Sequence, residues 1–297
     1  PFVCPLRCAF PLMSHSICIL GGGFGGLYTA LALSKLDWKN GQPDIVLVDQ
    51  RDRFVFAPLL YELVTGELQT WEIAPPYEEL LVNTGVRFCQ SGVESIDVAA
   101  QQVSLTNGDR LSYDRIVLAL GGETPMDMAP GVAEHAIPFR SLEDAYRLKE
   151  KLRSLEATSL EKIRVAIVGG GYSGVEIACK VAERLGDRGR VRIVERAPEI
   201  LQNSPEFNQA AAQKALSEKN VWIDYETTVT DVTADSFTLS YKDKLETLPV
   251  DIVLWNVGSK VSPALDALDL PRNQRQQFTI SPTLQVTDHP DIFALGD

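Results

Sequence analysis

The sequence predicts an α/β protein with two parallel sheets, each extended by an antiparallel meander. Three observations predict it. Residues 16–36 (SICILGGGFGGLYTALALSKL) and 164–185 (RVAIVGGGYSGVEIACKVAERL) repeat one pattern: a short apolar run, G-G-G-aromatic-x-G, then an apolar stripe at helical spacing. Each copy leads into a second apolar run closed by an acid, DIVLVD ending at Asp49 and VRIVE ending at Glu195. The first glycines, Gly21 and Gly169, lie 148 residues apart, a domain length rather than a solenoid period. Two β-α-β units follow from this spacing.

Residues 1–12 carry one charge, Arg7, and Met13 stands just before the first strand, so they read as the remnant of a leader or of upstream translation. Beyond the two repeats, strand-like runs occupy Val86–Cys89, Ser91–Ile96, Gln102–Leu105, Arg115–Leu120, Trp222–Tyr225, Phe237–Tyr241 and Asp251–Asn256. Polar turns at Asn107-Gly108 and Tyr241–Lys244 assign some of these to antiparallel meanders. Residues 141–160 form an amphipathic pattern with Ser141 as N-cap and Asp144 three residues on. That helix is expected as the hinge between two domains. The final residues, ending at Asp297, stop inside what reads as a motif, and the chain is expected to be a fragment.

Composition narrows the function. With 28 Lys plus Arg against 40 Asp plus Glu, the net charge of −12 argues against a nucleic-acid binder and gives no polybasic patch for an anionic membrane. The sequence has no run of 18 apolar residues to span a bilayer. Five scattered cysteines without a C-x-x-C argue for a reducing compartment and against a disulfide scaffold or zinc site. The three histidines, His15, His135 and His289, have no matching partners, and no metal site is expected.

Chemistry concentrates in the glycine loops. In G-x-G-x-x-G the first glycine permits the tight strand-to-helix turn, the second lets backbone approach a pyrophosphate, and the third lets helix pack on strand. Gly21, Gly23 and Gly26 fill these places with Phe24 and Gly25 between; Gly169, Gly171 and Gly174 do so with Tyr172 and Ser173 between. Unpaired N–H groups and the helix dipole make such a loop an anion site. Asp49, followed by Gln50 and Arg51, and Glu195, followed by Arg196, stand where a carboxylate accepts hydrogen bonds from an adenosine ribose. Glu195 favours NADH, whereas Arg196 is placed to pair with a 2′-phosphate, so NADH and NADPH both stay open. Two dinucleotide sites in one chain imply a flavin and a pyridine nucleotide, a pairing for hydride transfer in which the cofactors carry the chemistry.

These residues resemble the two-dinucleotide-binding-domain flavoproteins and, within them, the type II NAD(P)H:quinone oxidoreductases. The resemblance covers about residues 16–297. Its carriers are the two loops, RFVFAPLLYELVTGEL (53–68), YDRIVLALGGETP (113–125), DIVLWNVG (251–258) and TLQVTDHPDIFALGD (283–297). It implies two Rossmann-like domains, with FAD on residues 14–135 and 279–297 and NAD(P)H on an inserted domain at 136–278. It further implies that Pro58, Leu59, Leu60 and Tyr61 neighbour flavin or quinone and that Asp297 holds the flavin ribityl chain. Val93, Ala119, Gly121 and Gly258 are then expected near the cofactors, and Glu176 on the nicotinamide side, with Glu176 and Tyr61 the candidate catalytic residues. One departure stands out: where many members carry another acid one turn after Glu176, this chain has Lys180.

With TWEIAPPYEELL (70–81) and AERLGDRG (182–189), the pattern resembles the cyanobacterial and plastid branch that reduces demethylphylloquinone and related prenylated quinones. Peripheral membrane contact is then expected through a C-terminal part after Asp297, on a cytoplasmic or stromal face; a homodimer is open. Rival readings are a reductase of a ferredoxin- or rubredoxin-type protein and a non-enzymatic NAD(H)-sensing module. A disulfide reductase lacks its cysteine pair, and the intact second loop argues against a sulfide:quinone reductase.

Overall fold

The computed structural model describes residues 15–39 and 41–296. They form two compact units. The first comprises the chain up to Phe54, Pro75–Gly122 and the chain from Val261; the second comprises Val55–Ala74 and Glu123–Lys260. These bounds differ from the expected division at 135/136 and 278/279, and burial shows where the intervening segments pack. Leu265, Leu268 and Leu270 pack into the core of the first unit. Val132 packs with Val232 and Phe237 in the second. Leu60, Leu63, Val64 and Ile73 are likewise buried in the second unit's core, so the segment 55–74 belongs there although its flanks do not.

In the first unit, six strands lie in the order Gln285–Val286, His289–Ala294, Arg115–Leu118, Ser16–Leu20, Asp44–Asp49, Arg87–Gln90. The central Ser16–Leu20 is parallel to both neighbours, with Leu20 opposite Val48 on one side and Leu118 on the other. Successive side chains face opposite layers, as a strand requires. Ile17, Ile19, Ile45 and Leu47 pack on Leu27 and Ala30 of the helix Phe24–Ser34. Cys18, Leu20, Val46 and Val48 pack on Val103, Leu105 and Leu111 of the antiparallel sheet Val93–Asp97, Gln102–Leu105, Arg110–Ser112. Covering both faces makes the strands continuous apolar runs.

The second unit repeats the plan. Five parallel strands run in the order Trp222–Asp224, Gly189–Val194, Ile163–Val168, Ile252–Trp255, Ala136–Pro138. Val165 and Ile167 face Ile177, Ala178 and Val181 of the helix Tyr172–Leu185. Ala166 and Val168 face Phe237 and Leu239 of the antiparallel sheet Thr228–Val232, Ser236–Tyr241, Lys244–Pro249. The start of each central strand is stapled alike: Asp114 Oδ2 accepts the Ser16 N–H at 2.7 Å, and Asp251 Oδ2 accepts the Arg164 N–H at 2.7 Å. The expected strands are present with ends displaced by one or two residues.

The helix expected over 141–160 runs Leu142–Glu156 and carries the anticipated capping box, with Ser141 Oγ accepting the Asp144 N–H at 3.1 Å and Asp144 Oδ2 accepting the Ser141 N–H at 2.9 Å. Its expected role as a hinge is corrected: it lies wholly inside the second unit, with Leu142, Ala145, Leu148 and Leu152 buried in that core. Among the described residues no helix is long and apolar enough to cross a membrane. Replacing the fully buried Leu148 by Ala should cost about 2–5 kcal/mol, read as a lower urea midpoint, whereas a loosely packed hinge helix would lose well under 1 kcal/mol.

Candidate functional site

Each glycine loop follows from the register of its sheet. Because the two strands are parallel and in step, the acid that ends the second strand stands one residue beyond the end of the first. In the first unit the Gly21 N–H donates to the Val48 carbonyl at 2.8 Å, continuing the ladder, and Gly21 then turns at φ +99°. The Gly22 N–H donates to Asp49 Oδ2 at 2.6 Å, and Asp49 Oδ1 accepts the Arg51 N–H at 2.8 Å. A Cβ on Gly21 would strike the Ala119 carbonyl, and one on Gly26 would strike the Gly21 carbonyl and approach Ile19 to 3.2 Å.

The second loop repeats this closely. The Gly169 N–H donates to the Val194 carbonyl at 2.9 Å, with Gly169 at φ +107°. The Gly170 N–H donates to Glu195 Oε2 at 2.6 Å, and Glu195 Oε1 accepts the Ala197 N–H at 2.7 Å. A Cβ on Gly174 would strike the Gly169 carbonyl. The expectation for Asp49 and Glu195 therefore gains a second element. Each carboxylate holds its own loop, and each oxygen, having accepted one N–H, retains a lone pair for a further donor.

The loops differ in what holds the carbonyl of the middle glycine. Gly22 O accepts the Tyr77 hydroxyl at 2.7 Å, and burial pushes that phenol far up in pKa. Gly170 O accepts the Leu201 N–H at 2.9 Å instead. Neither Tyr77 nor Leu201 carries a signal in the sequence, since nothing about their spacing from a loop marks them as its partners.

Both loops fit an anionic ligand. The helices Phe24–Ser34 and Tyr172–Leu185 start at Gly23 and Gly171, with no side-chain cap and no acid in the first turn. By contrast, the helix Leu142–Glu156 closes its own N-terminus with Ser141 and Asp144. A Cβ added at Gly23 or Gly171 meets nothing within 4 Å, so open space lies directly over the uncapped N–H groups. A pyrophosphate matches that combination of free donors, positive dipole end and close backbone access.

In the second unit, Tyr61 and Glu176 come together. The short helix Leu60–Thr65 packs on Tyr172–Leu185, and the Tyr61 hydroxyl donates to Ser173 Oγ at 2.9 Å. The Tyr61 ring stacks on Phe139 at 5.3 Å. Burial, opposed by the Ser173 hydrogen bond and reinforced by the nearby Glu176 charge, pushes the Tyr61 phenol up to about 12. Tyr61 therefore stays protonated at neutral pH, while Glu176 is exposed. Lys180, where the resemblance leads one to expect an acid, pairs with both oxygens of Glu67 at 2.7 and 2.9 Å and lies 3.7 Å from Glu62.

The remaining candidates separate by surroundings. Pro58 is exposed and Leu59 half-buried, but the Leu60 side chain is sealed in the second unit's core and faces no open space. Gln50, Arg51 and Arg196 are exposed beside the two strand-end acids. Phe24 packs edge-on against Phe54 at 5.1 Å, and Tyr172 accepts from Asn208 at 2.8 Å. Ala119 borders the first loop, its N–H donating to the Leu20 carbonyl at 2.8 Å. Val93 is half-buried on the meander, and Leu295 packs near Gly25. Gly121 and Gly258 both take left-handed conformations, at φ +66° and +80°. Asp297 lies outside the described residues.

Residues 15–297 match the family described as pyridine nucleotide-disulphide oxidoreductase. Over 286 residues the chain is 57% identical to the demethylphylloquinone reductase NdbB of Synechocystis, covering 95% of this chain and 71% of that protein. It is 42% identical to the alternative NAD(P)H-ubiquinone oxidoreductase C1, chloroplastic/mitochondrial, of Arabidopsis thaliana, covering 95% of this chain and 60% of that one. The structure of NDH2 from Plasmodium falciparum in complex with NADH superposes with a TM-score of 0.85 at 21% identity, over 96% of this chain and 64% of that one. The chain thus spans roughly two thirds of the length of these proteins.

The loop geometry separates two glycine substitutions. Gly26→Ala should destabilise the fold by about 1–3 kcal/mol through overpacking against Gly21, whereas Gly23→Ala, with φ −65° and open space, should stay within about 1 kcal/mol of wild type in the same denaturation experiment.

Proposed function

Because this chain belongs to the pyridine nucleotide-disulphide oxidoreductase family, we propose that it is a flavin-dependent NAD(P)H:quinone oxidoreductase whose acceptor is a prenylated naphthoquinone such as demethylphylloquinone, or plastoquinone. The observation that carries this reading is the duplicated cradle: two uncapped helix N-termini, each under a glycine loop held by its strand-end carboxylate. One dinucleotide site alone suits a soluble dehydrogenase; two suit a nicotinamide donor and a flavin. The 57% identity to a protein named a demethylphylloquinone reductase supports the choice of acceptor.

In this reading FAD takes the loop Gly21–Gly26 and NAD(P)H the loop Gly169–Gly174. The chemistry such groups supply when bound is two-electron transfer, from reduced nicotinamide by way of the flavin to the quinone. The protein's own part is to bind, orient and manage protons. First-turn N–H groups neutralise each pyrophosphate, and the free lone pairs of Asp49 and Glu195 receive ribose hydroxyls. A carboxylate at Glu195 disfavours a 2′-phosphate by charge repulsion, which ranks NADH ahead of NADPH, while the exposed Arg196 offsets part of that cost. Quinol formation consumes two protons. The Tyr61 hydroxyl, protonated at neutral pH and next to Glu176, donates to Ser173 Oγ and so ties the segment assigned to the quinone side to the second-loop helix. A prenylated quinone resides in a bilayer, so this activity requires the protein to meet a membrane surface.

Cys18 and Cys179 are free thiols, and burial pushes Cys18 up to about 12, which leaves it a poor redox nucleophile. This disfavours a disulfide substrate despite the family's name.

Anaerobic stopped-flow absorbance on the full-length protein tests the reading. NADH should bleach the flavin, and a naphthoquinone should then restore the oxidised spectrum; bleaching without recovery would transfer the proposal to a protein acceptor. Gly23→Val should purify folded but largely colourless, because its side chain fills the open space over the first loop. Full flavin occupancy in that variant would overturn the loop assignment.

A further inference from the structure

The helix Leu60–Thr65 has six residues and ends at Gly66 in a left-handed conformation at φ +84°. A helix this short has no stability of its own, so its placement is dictated by what it docks on. Leu60, Leu63 and Val64 bury in the second unit's core and hold it down. Apolar burial is non-directional, however, and leaves the rotation and slide of a short helix poorly defined. Polar contacts supply that definition. They come from one ridge of the helix Tyr172–Leu185, at positions 173, 176, 180 and 184, spaced three or four residues apart and hence on a single face.

Each position on the ridge engages the segment. Ser173 accepts the Tyr61 hydroxyl, and the Glu176 charge lies near the same phenol. Lys180 pairs with Glu67 and Glu62, and Arg184 Nη1 donates to the Val64 carbonyl at 2.6 Å while its fork grips Glu156. Lys180 stands out in this set. Its side chain is 23% exposed, it is the cation between two carboxylates of the segment, and Glu62 Oε2 is buried with no hydrogen-bond partner. Neutralising Lys180 would leave Glu62 and Glu67 to repel each other across the same spot.

We propose that Lys180 is a positioning residue for the acceptor side of the reaction: by clamping Glu62 and Glu67 to the second-loop helix, it fixes where Tyr61 stands. The inference rests on the quinone-reductase reading. It assigns Lys180 no proton transfer and no contact with the nucleotide. Misplacing a binding segment chiefly weakens the step that segment serves and leaves the other half-reaction alone.

The test compares wild type with Lys180→Gln, Lys180→Arg and the exchanged pair Lys180→Glu/Glu67→Lys in the full-length protein. Flavin bleaching by NADH should stay within about twofold of wild type in all of them. Quinone-dependent recovery should slow about tenfold in Lys180→Gln, mainly through a higher KM, and return towards wild type in Lys180→Arg and the exchanged pair. In protein stripped of cofactors, amide hydrogen exchange across residues 60–68 should be faster in Lys180→Gln than in wild type or Lys180→Arg. Unchanged exchange together with unchanged quinone KM would overturn the proposal, as would an equal loss in bleaching and recovery. Failure of wild type itself to reduce a quinone would instead overturn the parent reading, and the exchange measurement would still decide whether the clamp exists.

Discussion

A carboxylate at the end of one strand accepts the N–H of the glycine just beyond the end of its neighbour, and most of what is distinctive in this protein depends on that hydrogen bond. Asp49 does it for Gly22 and Glu195 for Gly170, both at 2.6 Å, the short distance of a charge-assisted bond. The bond turns one loop N–H inward to the acid, so that the later ones at the helix start face open space. It also brings a negative charge next to the place where an anion would bind. That pairing is workable because each carboxylate already receives two backbone N–H groups, which offset part of its charge.

The same requirement is met differently at the next atom along. Once the middle glycine's N–H points to the acid, its carbonyl needs a donor. In the second loop the chain simply returns, and Leu201 supplies a backbone N–H from a residue at φ +51°. In the first, the chain leaves after Phe54 and re-enters at Pro75, and the donor is the buried hydroxyl of Tyr77. A phenol with its ring packed on Phe88 at 4.7 Å is a rigid substitute for a backbone strap. It also fills the space beside Gly22 so fully that a Cβ there would collide with it, which explains why that middle position is glycine as well.

The excursion between Phe54 and Pro75 shows how apolar and polar contacts divide the work of docking. Burial of Leu60, Leu63, Val64 and Ile73 against the second unit decides that the segment belongs there. The hydroxyl, ammonium and guanidinium along one helix face decide how it is rotated. Partly exposed ion pairs contribute little to stability, and their value here lies in geometry. An acid in place of Lys180 would face two further carboxylates in this segment, so Lys180, Glu62 and Glu67 are best understood as a set.

The sequence by itself determined the two β-α-β units, their parallel register and the identity of the strand-end acids, because these follow from local periodicity and from the few residue types that fit a tight turn at positive φ. It likewise determined the capping box at Ser141, a contact between residues three apart. It did not determine the unit boundaries, the role of the helix Leu142–Glu156, or the partners of Tyr61, Gly22 and Lys180. Tyr61 meets a residue 112 positions away, and Glu67 meets one 113 positions away. No local pattern encodes such pairs. They exist only once the sheets have formed and the excursion has buried its leucines, and at that point steric fit and the cost of leaving a buried polar atom unpaired select the partner.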